Sequence, residues 1–307
     1  MRIVLALGGN ALGDNLDAQM EAAKVAAVSI ADLISMEHEV IVVHGNGPQV
    51  GMIETAFETA ALVDHHFPVL PMSVCVALSQ GYIGYDLQNV LRYEFDKRGI
   101  KKEVSTIITQ VVVDPKDPAF ENPSKPIGGF LSEEDALKIR AHGEVVEEDS
   151  GRGYRRMVAS PLPLDIVEKE TIRLLTEAGQ VPIACGGGGI PVAMRDGQYH
   201  GMSAVIDKDR AAAKLAELID AEMLIILTTV EKVSLSFGRP EERQVDRLTA
   251  DEADVYMAEG HFGKGSMQPK IEAAIDFVRS GAGRTTLITK LTTAKEALDG
   301  KTGTILC

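Results

Sequence analysis

Cysteine is scarce. Cys75, Cys185 and Cys307 are the whole complement, odd in number and far apart. That scatter supports neither a disulfide framework nor a zinc site, so a reducing cytoplasm is the expected setting. Positive charge is also short: 31 lysines and arginines face 45 aspartates and glutamates, a formal charge of -14. An excess of that sign repels phosphate backbones and anionic lipid, which argues against nucleic-acid or membrane-surface partners. No apolar run suits a bilayer. Residues 67–85 carry no charge, but Pro68, Pro71, Ser73 and Gln80 interrupt them, and they read as a turn followed by a buried helix. The opening Met1–Gly8 has too short an apolar stretch for a signal peptide and reads as a strand. His44, His65, His66 and His261 lack ligand spacing, so no metal centre is expected. Internal repeats and low-complexity tracts are missing as well.

What remains is an ordinary globular composition, 45% hydrophobic and 25% charged, over 307 residues. Short apolar runs alternate with amphipathic segments. Arg2–Leu7, Val40–Val43, Val181–Cys185, Leu224–Leu227 and Thr285–Ile288 read as strands, and Val104–Val113 as a β-branched central strand. Helical spacing covers about 17–36, Gln49–Leu62, Val74–Arg98, Ile166–Glu177, Asp209–Ile219 and Lys270–Arg279. Strand, glycine loop and helix in alternation predict a mainly parallel sheet covered on both faces. Asp114–Pro163 breaks the pattern with six prolines, an acidic middle and Arg152, Arg155 and Arg156. It reads as a small inserted subdomain or as a long surface loop, and the subdomain is favoured because structureless loops of that length are uncommon. The arginines read as salt-bridge partners within it.

Three glycine-rich stretches follow apolar runs: Gly8-Gly9-Asn10, Gly45-Asn46-Gly47-Pro48-Gln49-Val50-Gly51, and Cys185 to Gly189. Backbone N–H groups without Cβ obstruction make concave anion sites. None of the three is a Walker A loop, because Asp14-Asn15 stand where Lys-Ser/Thr is required, and none has dinucleotide spacing. Each alone is a tight turn; together, with amides from Asn10 and Asn46, they point to held phosphate. Asp207-Lys208-Asp209 and Pro269-Lys270 each put a lysine at a helix start. A cation opposes the helix dipole there unless an anion is near, so capping accounts for an aspartate and not for Lys208. Lys125 sits between Ser124 and Pro126 in a stiffened turn. Cys185, with no base close in sequence, reads as buried rather than nucleophilic.

These stretches together resemble the carbamate kinases of the amino acid kinase family. The likeness is carried by Ala6–Ala11, His44–Gly51, Lys125–Gly128, Glu148–Gly153, Cys185–Val192, Ala204–Asp209, Gly260–Phe262, Gly265–Met267, Pro269-Lys270 and Gly300–Thr304, in family order from residue 6 to residue 304. The resemblance implies one domain over 1–307, an open three-layer α/β/α sandwich around a mainly parallel eight-stranded sheet. It further implies a protruding subdomain at 114–163 and a cytoplasmic homodimer. The implied reaction interconverts ATP and carbamate with ADP and carbamoyl phosphate, running towards ATP in arginine catabolism, with Mg²⁺ brought by the nucleotide.

On that resemblance Lys125, Lys208, Lys270 and Asp209 are the catalytic residues, with Asp207 the alternative to Asp209. Lys208 and Lys270 would flank the transferring group. Lys125 would swing in on the carbamate side, replacing a lysine that related kinases carry in the first glycine motif. Gly8, Gly9, Asn10, Gly45, Asn46 and Gly47 would cradle the carbamoyl phosphate end, and Gly187 and Gly188 the nucleotide phosphates. Thr228, Val230, Ser266 and Met267 would lie near adenine, so that the N-terminal part takes carbamate and about 181–307 takes nucleotide. No metal ligand among the side chains is implied. Gly129, Thr229, Met202-Ser203, Tyr154 and Ala159 depart from the usual pattern without touching a lysine or glycine of the proposed centre. Two other readings stand: a relative acting on another small acid such as acetylglutamate, and a non-catalytic nucleotide-binding regulator.

Overall fold

The computed structural model describes residues 1–8, 16–141, 143–148, 151–263 and 265–307. The first half runs β1 (Arg2–Leu7), α1 (Leu16–Ser35), β2 (Glu39–His44), α2 (Gly47–Val63), α3 (Met72–Arg98), β3 (Val104–Thr106) and β4 (Gln110–Val112). There follow β5 (Lys125–Leu131), α4 (Glu133–Ala141), β6 (Val145–Glu148), β7 (Tyr154–Val158), β8 (Asp165–Ile166), α5 (Lys169–Glu177) and β9 (Val181–Ile183). The remainder is β10 (Ile190–Arg195), β11 (Gln198–Gly201), α6 (Lys208–Leu218), β12 (Met223–Thr228), β13 (Val233–Leu235), β14 (Arg243–Val245) and β15 (Arg247–Leu248). It closes with α7 (Ala250–Ala258), α8 (Gln268–Arg279), β16 (Thr285–Lys290), α9 (Ala294–Leu298) and β17 (Thr304–Leu306).

The main sheet has eight strands in the order β15-β17-β16-β12-β1-β2-β9-β3. Every pairing in it is parallel except β16 with β17. Alternation along β1 shows why helices cover both faces. Ile3, Leu5 and Leu7 join Ile30 of α1, Leu87 and Leu91 of α3 and Ala297 of α9. Val4 and Ala6 point the other way, towards Ile172 of α5, Leu215 of α6 and Phe277 of α8. The three layers match the sequence expectation.

One strand assignment fails. Val104–Val113 is not a single central strand: β3 lies at the edge of the main sheet and β4 belongs to a separate sheet ordered β11-β10-β4-β8. The chain leaves the ladder at Thr109, whose N–H donates 2.9 Å to the side-chain oxygen of Gln80. Thr109 Oγ1 in turn accepts from the Cys185 N–H at 3.0 Å. Gln80 takes the Thr109 N–H while the Thr109 carbonyl accepts from the Ile190 N–H of β10 at 2.9 Å, so the backbone changes sheets here with its groups paired.

Within 114–163, β5, β7 and β6 form a three-stranded antiparallel sheet with α4 against it. It meets the body at α2. Gly51 of α2 faces Gly128 of β5 so closely that a Cβ on Gly51 would run into the Gly128 backbone. Ile127 is buried beside them with Val50, Cys75 and Val76.

Candidate active site

β12, β1, β2 and β9 are neighbours in the sheet and run parallel, so their carboxyl ends open onto one edge. Gly8 follows β1, Gly45-Asn46-Gly47 follow β2, the Cys185–Gly189 turn follows β9, and Thr228 ends β12. Adjacent parallel strands thus set all the loops side by side, where ligands of open α/β sheets gather. They border a cleft of about 2710 Å³. Gly8 is tight against the neighbouring strand: a Cβ would lie 2.7 Å from the Leu227 carbonyl oxygen. Gly9 and Asn10 lie outside the described residues.

α2 begins at Gly47 with no side-chain cap, and Asn46 donates instead to Ser79 Oγ at 2.9 Å. Pro48 carries no N–H, so among the described residues it is the Gly47 and Gln49 N–H groups of this start that are placed for an anion. The third glycine run is a single 3-10 turn. Gly187, Gly188 and Gly189 all have positive φ, which glycine adopts without strain. Gly187 lines the cleft against the Asn46 amide, on the β2 side. Gly188 is packed beneath, on the Ile206 carbonyl, leaving no room for a Cβ. Its contribution is to let the segment before Asp207 come close, which differs from the phosphate-lining role expected from the sequence.

The three lysines meet. Lys208 is the first residue of α6, and its Nζ lies 2.6 Å from Asp209 Oδ1. Lys270, in the first turn of α8, donates to Asp209 Oδ2 at 2.7 Å. Lys125, at the start of β5, reaches Asp207 Oδ2 at 2.5 Å. Asp207 Oδ1 caps α6, accepting from the N–H groups of Asp209 at 2.9 Å and Arg210 at 3.3 Å. Each aspartate therefore does two jobs: Asp209 spaces two ammoniums, and Asp207 ties a helix start to the far sheet. The sequence left Asp207 as an alternative; the geometry uses both.

Burial works against the charges of Asp207, Lys208, Asp209 and Lys270. It pushes the Lys208 ammonium down, and Lys270 adds to the lowering while Asp209 opposes it. Lys270, also held by Asp209, ends above its ordinary value despite burial. Burial would raise both carboxyls, yet Lys125 and Lys208 hold Asp207 well below the usual range, and Lys208 and Lys270 do the same for Asp209. Three lysines against two aspartates leave one excess positive charge in an acidic protein, suited to an anionic ligand.

Other contacts were not read from the sequence. Gln80, visible there only as an interruption of an apolar run, donates to the carbonyls of Thr109 at 3.1 Å and Gly186 at 3.0 Å, suturing two turns below the cleft. Arg210 joins Glu272 at 2.5 Å, linking the starts of α6 and α8. Beyond β12, Thr228, Val230, Ser266 and Met267 line the same cleft with Ser236 and His261. Ser236 Oγ lies 2.8 Å from His261 Nδ1, and His261 Nε2 lies 3.1 Å from Glu259. Cys185 is fully buried, and burial pushes its thiol up, so it stays a packing residue.

His44 closes β2 in the same floor. Its Nδ1 faces the Gly45 carbonyl at 2.9 Å, and a carbonyl only accepts, so Nδ1 carries the proton. Nε2 is buried against Gly186 without a hydrogen-bond partner among the described residues. Burial pushes its pKa down to about 4. The unfolded imidazole takes a proton near pH 6.5, so folding stability falls as pH drops from about 6.5 towards 4, by about 3 kcal/mol at most from this group. Urea unfolding of the protein and of His44→Asn across that window should show a steeper acid loss in the parent. Parallel slopes would place the proton elsewhere.

A model of the amino acid kinase family matches residues 1–290. The chain belongs to the amino acid kinase family. Over its whole length it is 61% identical to the carbamate kinase-like protein YqeA of Escherichia coli K12, covering 99% of that protein. It is 51% identical to the carbamate kinase of Clostridium perfringens strain 13, over 99% of each chain. Among solved structures it is similar to the carbamate kinase from Giardia lamblia bound to AMP-PNP, with 38% identity and a TM-score of 0.90 over 99% of this chain and 98% of that one. Within the family, these full-length matches group it with the carbamate kinases.

Proposed function

We propose that this chain is a carbamate kinase, transferring a phosphoryl group reversibly between ATP and carbamate to give ADP and carbamoyl phosphate. The observation that carries the reading is the meeting of Lys125, Lys208 and Lys270 around Asp207 and Asp209 at the glycine-loop edge of the sheet. A phosphoryl group in transfer spreads negative charge over its equatorial oxygens, and catalysis is chiefly positioning and charge stabilisation. Lys208 and Lys270, spaced by one carboxylate, would contact those oxygens from two helix starts. Lys125 would leave Asp207 for the carbamate side. Gly8, Gly45, Asn46, Gly47 and the uncapped start of α2 would hold the carbamoyl phosphate end. Thr228, Val230, Ser266 and Met267 would contact the nucleotide, so that about 181–307 serves ATP and the N-terminal part serves carbamate. The AMP-PNP held by the Giardia lamblia relative supports nucleotide use.

Among the described residues no group of three or more histidines, cysteines or carboxylates could hold a metal ion. The two aspartates in the cleft spend their oxygens on lysines and on the start of α6. This donor set does not fit a protein-held cation, and Mg²⁺ would be bound by the nucleotide phosphates. We place the protein in the cytoplasm as a homodimer, working towards ATP in arginine breakdown. No helix among the described residues is long and apolar enough to cross a membrane.

The test is coupled detection of ATP formed from carbamoyl phosphate and ADP, run beside acetylglutamate with ATP. Turnover only in the first is expected. Turnover only in the second makes the substrate another small acid, and ADP binding without either makes the chain a nucleotide-binding regulator.

A further inference from the structure

We propose that Arg156 is a positioning residue: by gripping α2 it fixes the attitude of the β5–β7–β6 sheet and so the reach of Lys125 over the cleft. The kinetic part of this rests on the phosphoryl-transfer reading above. Arg156 was expected to pair within its own subdomain. It does so with Glu144, and its guanidinium also reaches α2 of the main body. One terminal nitrogen lies 2.7 Å from Glu54, the other 3.3 Å from Glu58, and Nε lies 2.7 Å from Glu144 beside β6. Glu54 and Glu58 belong to α2, the helix whose start borders the cleft.

The attachment has two points. Gly51, Glu54 and Glu58 are spaced three and four residues apart, so they share one face of α2. Gly51 meets Gly128 backbone to backbone, and Gly128 has φ +68. Glu54 and Glu58 meet Arg156 about 5–10 Å further along the helix. A single close contact is a pivot; a second at that distance removes the rotation. β7 carries the grip straight to β5, since Arg156 pairs with Ile127 and Val158 pairs with Lys125. Lys125 is therefore three residues from the pivot at Gly128, and two from Ile127, the residue that pairs with Arg156.

Arginine is suited to this place and lysine is not. Only the guanidinium fork can serve carboxylates on α2 and beside β6 together. It is also the cation among three carboxylates, and Glu54 and the Arg156 side chain are 14% and 15% exposed. Without it, like charges face each other across the joint and push it open.

The experiment compares Arg156→Met and the double variant Glu54→Gln, Glu58→Gln, each alone and combined with Lys125→Ala. Both grip variants should lose about tenfold to a hundredfold in kcat, the scale of an ångström-sized misplacement, with the KM for ADP little changed. In the Lys125→Ala background the same changes should cost nothing more, because the grip acts through that lysine. Hydrogen exchange at the amides of 125–131 should quicken in both variants while the main sheet keeps its protection. The glutamine pair guards against an Arg156→Met protein that fails to fold. An unchanged kcat, or losses that multiply with Lys125→Ala, overturns the proposal. If the parent transfers no phosphoryl group, the functional reading fails by itself, and exchange at 125–131 still decides: unaltered rates overturn the grip.

Discussion

Lys208→Ala or Lys270→Ala is expected to lower turnover by about two orders of magnitude or more, as for lost stabilisers of transition-state charge. The structure gives the reason for ranking these two changes first. Both ammoniums lie in the cleft and both are held by a single carboxylate, so each has a fixed place and neither can stand in for the other. Either truncation leaves Asp209 one lysine, which keeps the buried carboxylate paired and the fold intact. Near-ultraviolet circular dichroism should match the parent, while the rate of ATP formation from carbamoyl phosphate and ADP collapses. Variants that turn over like the parent would remove these lysines from the reaction.

Asp209→Ala should do more damage to the fold than either lysine change. Asp209 is 1% exposed and is the group that both ammoniums share. Its removal strands two cations near one another in a buried place, and breaking such a cluster typically costs about 3–5 kcal/mol. Urea unfolding near neutral pH measures this. The pH dependence carries a sign. Lys208 already has its pKa lowered by burial and by Lys270. Without Asp209 it is lowered further, so the variant gains stability as pH rises towards the unfolded lysine value of about 10.4. The gap between parent and variant should therefore narrow at high pH. A gap that is small at neutral pH, or that widens on the alkaline side, would mean that Asp209 does not hold the two lysines.

Much of this site was legible in the chain because it rests on local rules. Lys208 and Lys270 stand where helix dipoles disfavour cations, and that anomaly alone marked them for a shared anion site. The turns after β1 and β2 announced themselves through glycine after an apolar run. The long strands of the main sheet and α5, α6 and α8 follow hydrophobic period closely. Legibility stopped where a partner is distant. Gln80 and Ser79 lie inside α3, and nothing near them in sequence says that they serve Thr109, Gly186 and Asn46. Val104–Val113 has strand chemistry throughout, and the distant partners of Thr109, Gln80 and Cys185 among them, explain why the strand breaks in the middle. The hairpin β10–β11, ending in exposed Gln198–Gly201, and the short pair β13–β14 have too little apolar period to be seen. Arg156 was recognised as an ion-pairing residue, but its partners on α2 are about a hundred positions away.

The meeting of Gly51 with Gly128 has a consequence for how such proteins drift. Most junctions in a fold are negotiable: one residue grows, its neighbour shrinks, and the volume is conserved. A seam between two bare backbones offers nothing to trade, since there is no smaller residue on either side. A side chain on Gly51 would run into the Gly128 backbone, and one on Gly128 would be strained by its φ of +68, so neither glycine is exchanged singly without cost. Where both glycines persist in a new chain, the arm is still hung from the same hook.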